Sequence, residues 1–213
     1  MLARGLLDLL LPPACFRCGR GLPSDAILCA RCRAALPAAP EIQVRGLSGC
    51  FAGAPYGGEV EAWVRGFKYP AGVLDPGPEA LAGFLLARAA GRVPPPLPGW
   101  IVPVPLHPRR LRARGFNPAG LLARTLARQL GVPFEPVALA RVRDTVSQTG
   151  LDARARRRNV KGAFRFAKRG RAPARVWLVD DVVTTGSTLT AAARALRRAG
   201  AREVIGVCAS ATP

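Results

Sequence analysis

Val176-Trp177-Leu178-Val179-Asp180-Asp181-Val182-Val183-Thr184-Thr185-Gly186-Ser187-Thr188 is the stretch on which the reading of this chain turns. Its first four residues, Val176 to Val179, are an unbroken apolar run of the kind buried on both faces of a parallel sheet. Two adjacent carboxylates follow, and then a short loop of hydroxyls around Gly186. From Leu189 to Arg198 the chain is rich in Ala and Leu with no breaker, which predicts a helix. In open α/β sheets ligands bind outside the carboxyl ends of the strands, where these side chains would lie. A Gly-containing hydroxyl loop that opens a helix offers backbone N–H groups and a positive dipole end to a phosphate. Asp180 and Asp181 suit the other end of such a ligand, either vicinal ribose hydroxyls or a hydrated Mg²⁺ held through oxygens. The plain alternative is that the acids cap a turn and the hydroxyls satisfy a helix N-terminus.

The segment resembles the 5-phosphoribosyl-1-pyrophosphate (PRPP) motif of type I phosphoribosyltransferases over thirteen consecutive positions, Val176 to Thr188. A second constellation lies near the start. Cys15, Cys18, Cys29 and Cys32 form C-x2-C-x10-C-x2-C, and four thiolates converging from two knuckles predict a closed, structural Zn²⁺ site. A disulfide framework would imply export, and one CxxC alone would suggest redox chemistry, which two in tandem fit poorly. Cys50 and Cys208 fall outside the pattern and read as ordinary buried thiols.

Composition narrows the partners. The chain has 213 residues and a formal net charge of +19, and Arg greatly outnumbers Lys. No acid occurs between Glu79 and Glu135, where Arg109, Arg110, Arg112 and Arg114 cluster. A second acid-free basic run extends from Ala153 to Val176. Such runs suit polyphosphates or nucleic-acid backbones, or form solvated faces. Phe67, Tyr69, Phe116, Phe164 and Phe166 lie near basic residues and are candidates for base stacking or for the core. The apolar stretch Gly5 to Leu11 is interrupted by Asp8 and followed by Pro12-Pro13. It predicts a short amphipathic helix rather than an export signal, and no later run is long enough to span a membrane. A cytoplasmic protein is expected.

The linker-like Leu36-Pro37-Ala38-Ala39-Pro40 suggests a ribbon domain over 1–45 and an α/β domain over 46–213. Within the second part, the patterns predict helices over Phe84 to Ala90, Ala119 to Leu130 and Ser187 to Ala199. Strands are expected over Trp100 to Val104, Val176 to Val179 and Glu203 to Ala209, with an irregular arm or hairpin over residues 134 to 166. Alternation of this kind implies a parallel sheet covered on both faces. Ile101 to Arg110 reads as a strand end running into a Pro-stiffened basic turn, and Asn117 as an N-cap. His107, the one histidine, has no evident carboxylate partner and reads as a turn residue or phosphate neighbour.

Taken in order, these blocks resemble the ComF family of competence-associated, phosphoribosyltransferase-like proteins with an amino-terminal zinc ribbon. They are the ribbon, Gly66-Phe67-Lys68-Tyr69, the Val102 to Ala119 block, Ser147 to Leu151 with Arg156 to Phe164, and the Val179 to Thr188 loop. The resemblance implies a type I phosphoribosyltransferase-like sheet that binds PRPP with Mg²⁺. Asp180 and Asp181 would then hold the ribose hydroxyls, and Thr184, Thr185, Gly186, Ser187 and Thr188 the 5-phosphate. Val104, Pro105, Leu106, His107, Pro108 and Arg109 would correspond to the pyrophosphate loop. Residues 144–163, with Arg156, Arg157 and Arg158, would be a mobile arm. The implied setting is natural competence and DNA uptake and transformation, with single-stranded DNA and competence-machinery proteins such as a DNA translocase or recombination mediator as partners. A catalytic residue is not assigned, and turnover is open. The rival readings are a non-catalytic, PRPP-regulated DNA- or protein-binding module and a nucleobase-salvage phosphoribosyltransferase.

Overall fold

The computed structural model describes residues 13–23, 26–38, 42–69, 77–144 and 162–212. Four strands form a parallel sheet in the order β1-β6-β5-β2: β1 is Gly49–Pro55, β2 Trp100–Pro103, β5 Arg175–Val183 and β6 Glu203–Ala211. Helix α2 (Gly58–Lys68) follows β1, and α3 (Gly77–Ala90) packs on β1 and β6. Helices α4 (Pro108–Arg114) and α5 (Pro118–Leu130) follow β2, and α6 (Ser187–Arg198) joins β5 to β6. A short antiparallel pair, β3 (Leu139–Arg141) and β4 (Phe164–Phe166), packs beside α6. Near the start, α1 (Ala30–Ala34) belongs to the cysteine-rich segment.

The expected apolar runs form the two central strands, β5 and β6, and each face of the sheet has its own core. On one face Ile101, Trp177, Val179, Ile205 and Val207 meet Leu81, Leu85, Leu86, Leu122 and Leu126 of α3 and α5. On the other, Val102, Leu178 and Val204 meet Leu189, Ala192 and Leu196 of α6 together with Leu139 and Phe164 of the hairpin. Both central strands are thus covered on both faces, as continuous apolar strands require.

Several boundaries differ from expectation. β5 runs on to Val183, so Asp180 and Asp181 are part of the strand rather than of the loop after it. Pairing with β6 carries it there, since Asp180, Val182 and Val183 stay in register with Cys208, Ser210 and Ala211. β6 likewise extends to Ala211, and α3 begins at Gly77 rather than Phe84. The basic turn after β2 is a helix, α4. His107 accepts the Arg109 amide on Nδ1 as its N-cap, Pro108 occupies the first turn, and Gly115 closes it at φ +83°. β3 and β4 form the stem of the hairpin expected within residues 134 to 166. Residues 145–161, including Arg156, Arg157 and Arg158, and the amphipathic helix expected near the start lie outside the described residues.

The cysteine-rich segment shares a core with the sheet domain. Cys15, Leu28, Cys29, Cys32 and Leu36 belong to the same buried cluster as Leu81 and Leu85 of α3. The Phe16 ring lies against Gly77 where any side chain would collide. Arg17 forms a two-pronged ion pair with Glu59 of α2, at 2.9 and 3.0 Å.

Gly53 of β1 lies directly under α3, where an added Cβ would collide with the Leu85 carbonyl. Gly53→Ala is expected to destabilise the protein by about 1–3 kcal/mol through helix displacement. A urea-unfolding midpoint equal to wild type would show that α3 yields without cost.

Candidate functional site

Asp180 and Asp181 lie near the carboxyl end of β5, one strand in from the β2 edge. Their carboxylates are occupied locally. Asp180 Oδ1 accepts the Asp181 amide at 3.0 Å, and Asp181 Oδ1 accepts the Val182 amide at 2.7 Å. The second oxygen of Asp181 faces Lys68 Nζ at 3.2 Å, an ion pair to the last residue of α2. Burial raises the Asp180 carboxyl, and the Asp181 charge adds to the rise. Lys68 and the Asp181 amide oppose it, and the balance leaves Asp180 lifted to about 7.

The loop after β5 turns through Gly186 at φ +67°, a conformation side chains avoid. Val44 packs against it so closely that an added Cβ would sit 2.7 Å from the valine methyl. Thr184 and Thr185 are exposed, whereas Ser187 is buried with its hydroxyl 2.8 Å from that of Thr185. Gly186 is the N-cap of α6 and brings no side chain to its first amides, so the positive end of a twelve-residue helix opens onto this loop. Acids and helix end therefore come together as the sequence predicts.

The second loop is tied to the same strand. Val104 donates its amide to the Val179 carbonyl at 2.8 Å, and its own carbonyl accepts from Asn117 Nδ2 at 3.1 Å. Asn117 stands at the N-cap position of α5 but makes no cap hydrogen bond; its amide pins the loop instead. His107 does have a carboxylate neighbour, contrary to expectation: Asp144 lies 3.6 Å from its Nδ1 and 3.6 Å from Arg109. Asp144 follows β3, so the root of the arm segment meets the second loop.

The aromatic candidates divide. Phe67 and Phe164 are buried, Phe116 packs against Phe67 at 6.1 Å, and Phe166 stacks on Trp100 at 6.5 Å. These four belong to the core, Phe67 and Phe164 within its two clusters and Phe116 and Phe166 packed against them. Tyr69 is 66% exposed and accepts Arg114 on its hydroxyl at 3.0 Å, with the guanidinium 4.8 Å over the ring. Lys68 and Asp144, which the sequence reading includes only as members of the Gly66–Tyr69 block and of the arm, and Val44, which no motif includes, also lie around these loops. For Lys68 a signal exists, since Val60, Val64 and Phe67 mark a helix ending beside it.

At the ribbon, one sulfur from each of Cys15, Cys18, Cys29 and Cys32 lies within 4.8 Å of the others. The Cys18–Cys29 separation is 3.8 Å. A tetrahedron with Zn–S bonds of about 2.3 Å has edges of about 3.8 Å. Amides of Cys29 and Cys32 point at the sulfurs of Cys15 and Cys29, at 3.3 and 3.4 Å. Burial opposes ionisation of Cys15, but the amides of Cys29, Arg17 and Cys18 outweigh it and bring the thiol to about 6. Burial and the crowded sulfurs send Cys32 up to about 12. Four sulfurs so placed are thiolates together only around a cation, and the donor set fits zinc. Cys50 and Cys208 are buried apart from this cluster, as expected.

Residues 114–213 match the phosphoribosyl transferase domain, and residues 6–42 match the double zinc ribbon domain. The chain is 46% identical over 110 residues to "Competence protein F" of Haemophilus influenzae, covering 51% of this chain and 48% of that protein. Over this stretch the chain is similar to competence protein F. It is also 46% identical over 120 residues to "DNA utilization protein YhgH" of Salmonella typhi, covering 56% of this chain and 52% of that one. The same-named protein of Escherichia coli K12 matches at 46% over 110 residues, with 51% and 47% covered. The chain spans about half the length of the curated relatives it matches. The fold is thus a phosphoribosyl transferase domain on a parallel sheet, preceded by a four-cysteine zinc ribbon. Among the described residues no helix is long and apolar enough to cross a membrane.

Purified protein is expected to carry about one zinc per chain, from the single four-sulfur cluster. Cys29→Ser should release it and lower the unfolding temperature of the whole chain, because the ribbon shares its core with α3. Elemental analysis with thermal unfolding checks both; an unchanged main transition would make the ribbon an independent unit.

The Asp180 shift sets a pH dependence of stability. The folded state keeps a proton that the unfolded chain releases between 3.8 and about 7. This contribution is complete below the lower value and is lost as pH rises through the upper one. Asp180→Asn should therefore gain stability relative to wild type between pH 4 and 7.5, measured by urea midpoints at both ends.

Proposed function

We propose that the carboxyl end of β5 binds PRPP together with Mg²⁺, and that the protein acts in the uptake or use of DNA. The observation that carries this reading is the acid pair beside the Gly186 turn at the N-terminus of α6. One ligand satisfies both ends: vicinal ribose hydroxyls on Asp180 and Asp181, and a 5-phosphate on Thr184, Thr185, Gly186, Ser187 and Thr188. Val104 to Arg109, pinned by Val179 and Asn117, would take the diphosphate, with Arg156, Arg157 and Arg158 of the arm closing over it. The carboxylate oxygens suit Mg²⁺, which supplies charge neutralisation to a departing diphosphate when bound. The chain's own part is to orient ribose C1 and shield it, which is the larger share of catalysis for a loosely bonded transition state.

The names of the relatives, competence protein F and DNA utilization protein, support the DNA setting. So does α4. None of its residues is buried, and it presents Arg109 and Arg112 on an exposed helix beside the second loop. Single-stranded DNA is the proposed partner of this surface, and the protein works in the cytoplasm, where such DNA and PRPP meet.

Isothermal titration with PRPP and Mg²⁺ should show binding to wild type and none to the Asp180→Asn, Asp181→Asn double variant, which stays folded. Equal affinities would make the acids structural caps. Binding of single-stranded DNA should weaken log-linearly with salt, at a slope of roughly 0.7 per phosphate contact. Arg109→Ala with Arg112→Ala should flatten that slope, whereas a slope shared by variant and wild type would place the DNA elsewhere.

A further inference from the structure

The end of α2 inserts three consecutive side chains into the surroundings of the site. Phe67 is buried against Phe116, in the loop between α4 and α5. Tyr69 is joined to Arg114 at the end of α4 by a hydrogen bond and a ring contact. Between them Lys68 reaches Asp181 at 3.2 Å. The flanking contacts hold Lys68 between the acid pair and the basic helix that grows out of the Val104–Arg109 loop. It lies outside the matched phosphoribosyl transferase segment, which begins at residue 114.

The pair is partly sheltered, with 22% of the lysine and 13% of the aspartate side chain exposed, so water screens it incompletely. A lysine has three donors on a flexible stem, and its charge is favoured at a helix C-terminus. Hydroxyls arriving at Asp181 compete for the oxygen that Lys68 occupies. A diphosphate arriving on the α4 side offers the displaced ammonium a denser charge within reach of the same stem.

We propose that Lys68 is a ligand-binding residue of this site, resting on Asp181 and passing to the diphosphate of the incoming phosphoribosyl ligand when hydroxyls take that carboxylate. The proposal rests on the PRPP reading given above. It makes Lys68 a discriminator between phosphoribosyl ligands that carry a diphosphate at C1 and those that do not.

The test is titration of the full chain with PRPP–Mg²⁺ and, separately, with ribose 5-phosphate, for wild type, Lys68→Met and Lys68→Arg. Lys68→Met is expected to weaken PRPP roughly tenfold or more, the loss of one charge-assisted hydrogen bond, while ribose 5-phosphate binds as well or better. Lys68→Arg should recover most of the loss. An equal loss for both ligands would reduce Lys68 to a prop for Asp181 and overturn the proposal, as would an unchanged PRPP affinity. Wild type that binds neither compound overturns the PRPP reading itself, and this inference with it. Thermal unfolding confirms that the Met variant is folded; should it not be, Lys68→Gln, which keeps a hydrogen bond to Asp181 without the charge, gives the same comparison.

Discussion

The site depends on the burial of β5 on both faces. Val176, Leu178 and Val179 have no exposed surface, and covering them requires α3 and α5 on one side and α6 with the hairpin on the other. Because β5 continues past this apolar stretch while still paired to β6, its next two residues are carried to the edge of the core. Two adjacent carboxylates would not normally be tolerated there. Backbone amides hold one oxygen of each, Lys68 answers the charge of Asp181, and Asp180 retains its proton toward neutrality. The strand that organises the core is therefore also the one that holds chemically costly groups in place, and the hydrogen bonds around them are part of the fold as much as of the site.

The division between what the sequence reveals and what it hides follows the range of the interactions. The central strands, α5 and α6 declare themselves through local runs, and the four cysteines through their spacing. The phosphate-type loop is legible because Gly186 and its hydroxyls are contiguous. β1 is not, because Gly49–Pro55 is mostly small residues and becomes a strand only through pairing with β6, about 150 residues later. The roles of Asn117 and His107 are hidden for a similar reason. Asn117 looks like a cap from its neighbours but its side chain is claimed by Val104, whereas His107, read as a turn residue or phosphate neighbour, caps α4 and has Asp144 beside it. Lys68 falls between the two cases: its helix can be read from periodicity, whereas its meeting with Asp181 is a matter of tertiary structure.

The ribbon is more than an appendage joined by a proline-rich linker. Its cysteines and leucines complete a core begun by α3, and Arg17 fastens it to α2, the helix that ends in Lys68. A metal that organises the ribbon would also fix one wall against which α2 is set, so zinc would bear on Lys68 and the acid pair through packing alone.

The contact between Val44 and Gly186 gives the loop after β5 a distant support. Val44 belongs to the stretch that leaves the ribbon and enters β1, far in sequence from the loop it touches. The loop is shaped from behind by Val44, and its curvature is shared property of two distant parts of the chain. A bulkier residue at 44 would crowd the turn, and a smaller one would leave it slack. A chain remodelled at the junction after the ribbon would accordingly carry a differently set Gly186 turn even where every hydroxyl beside it is retained.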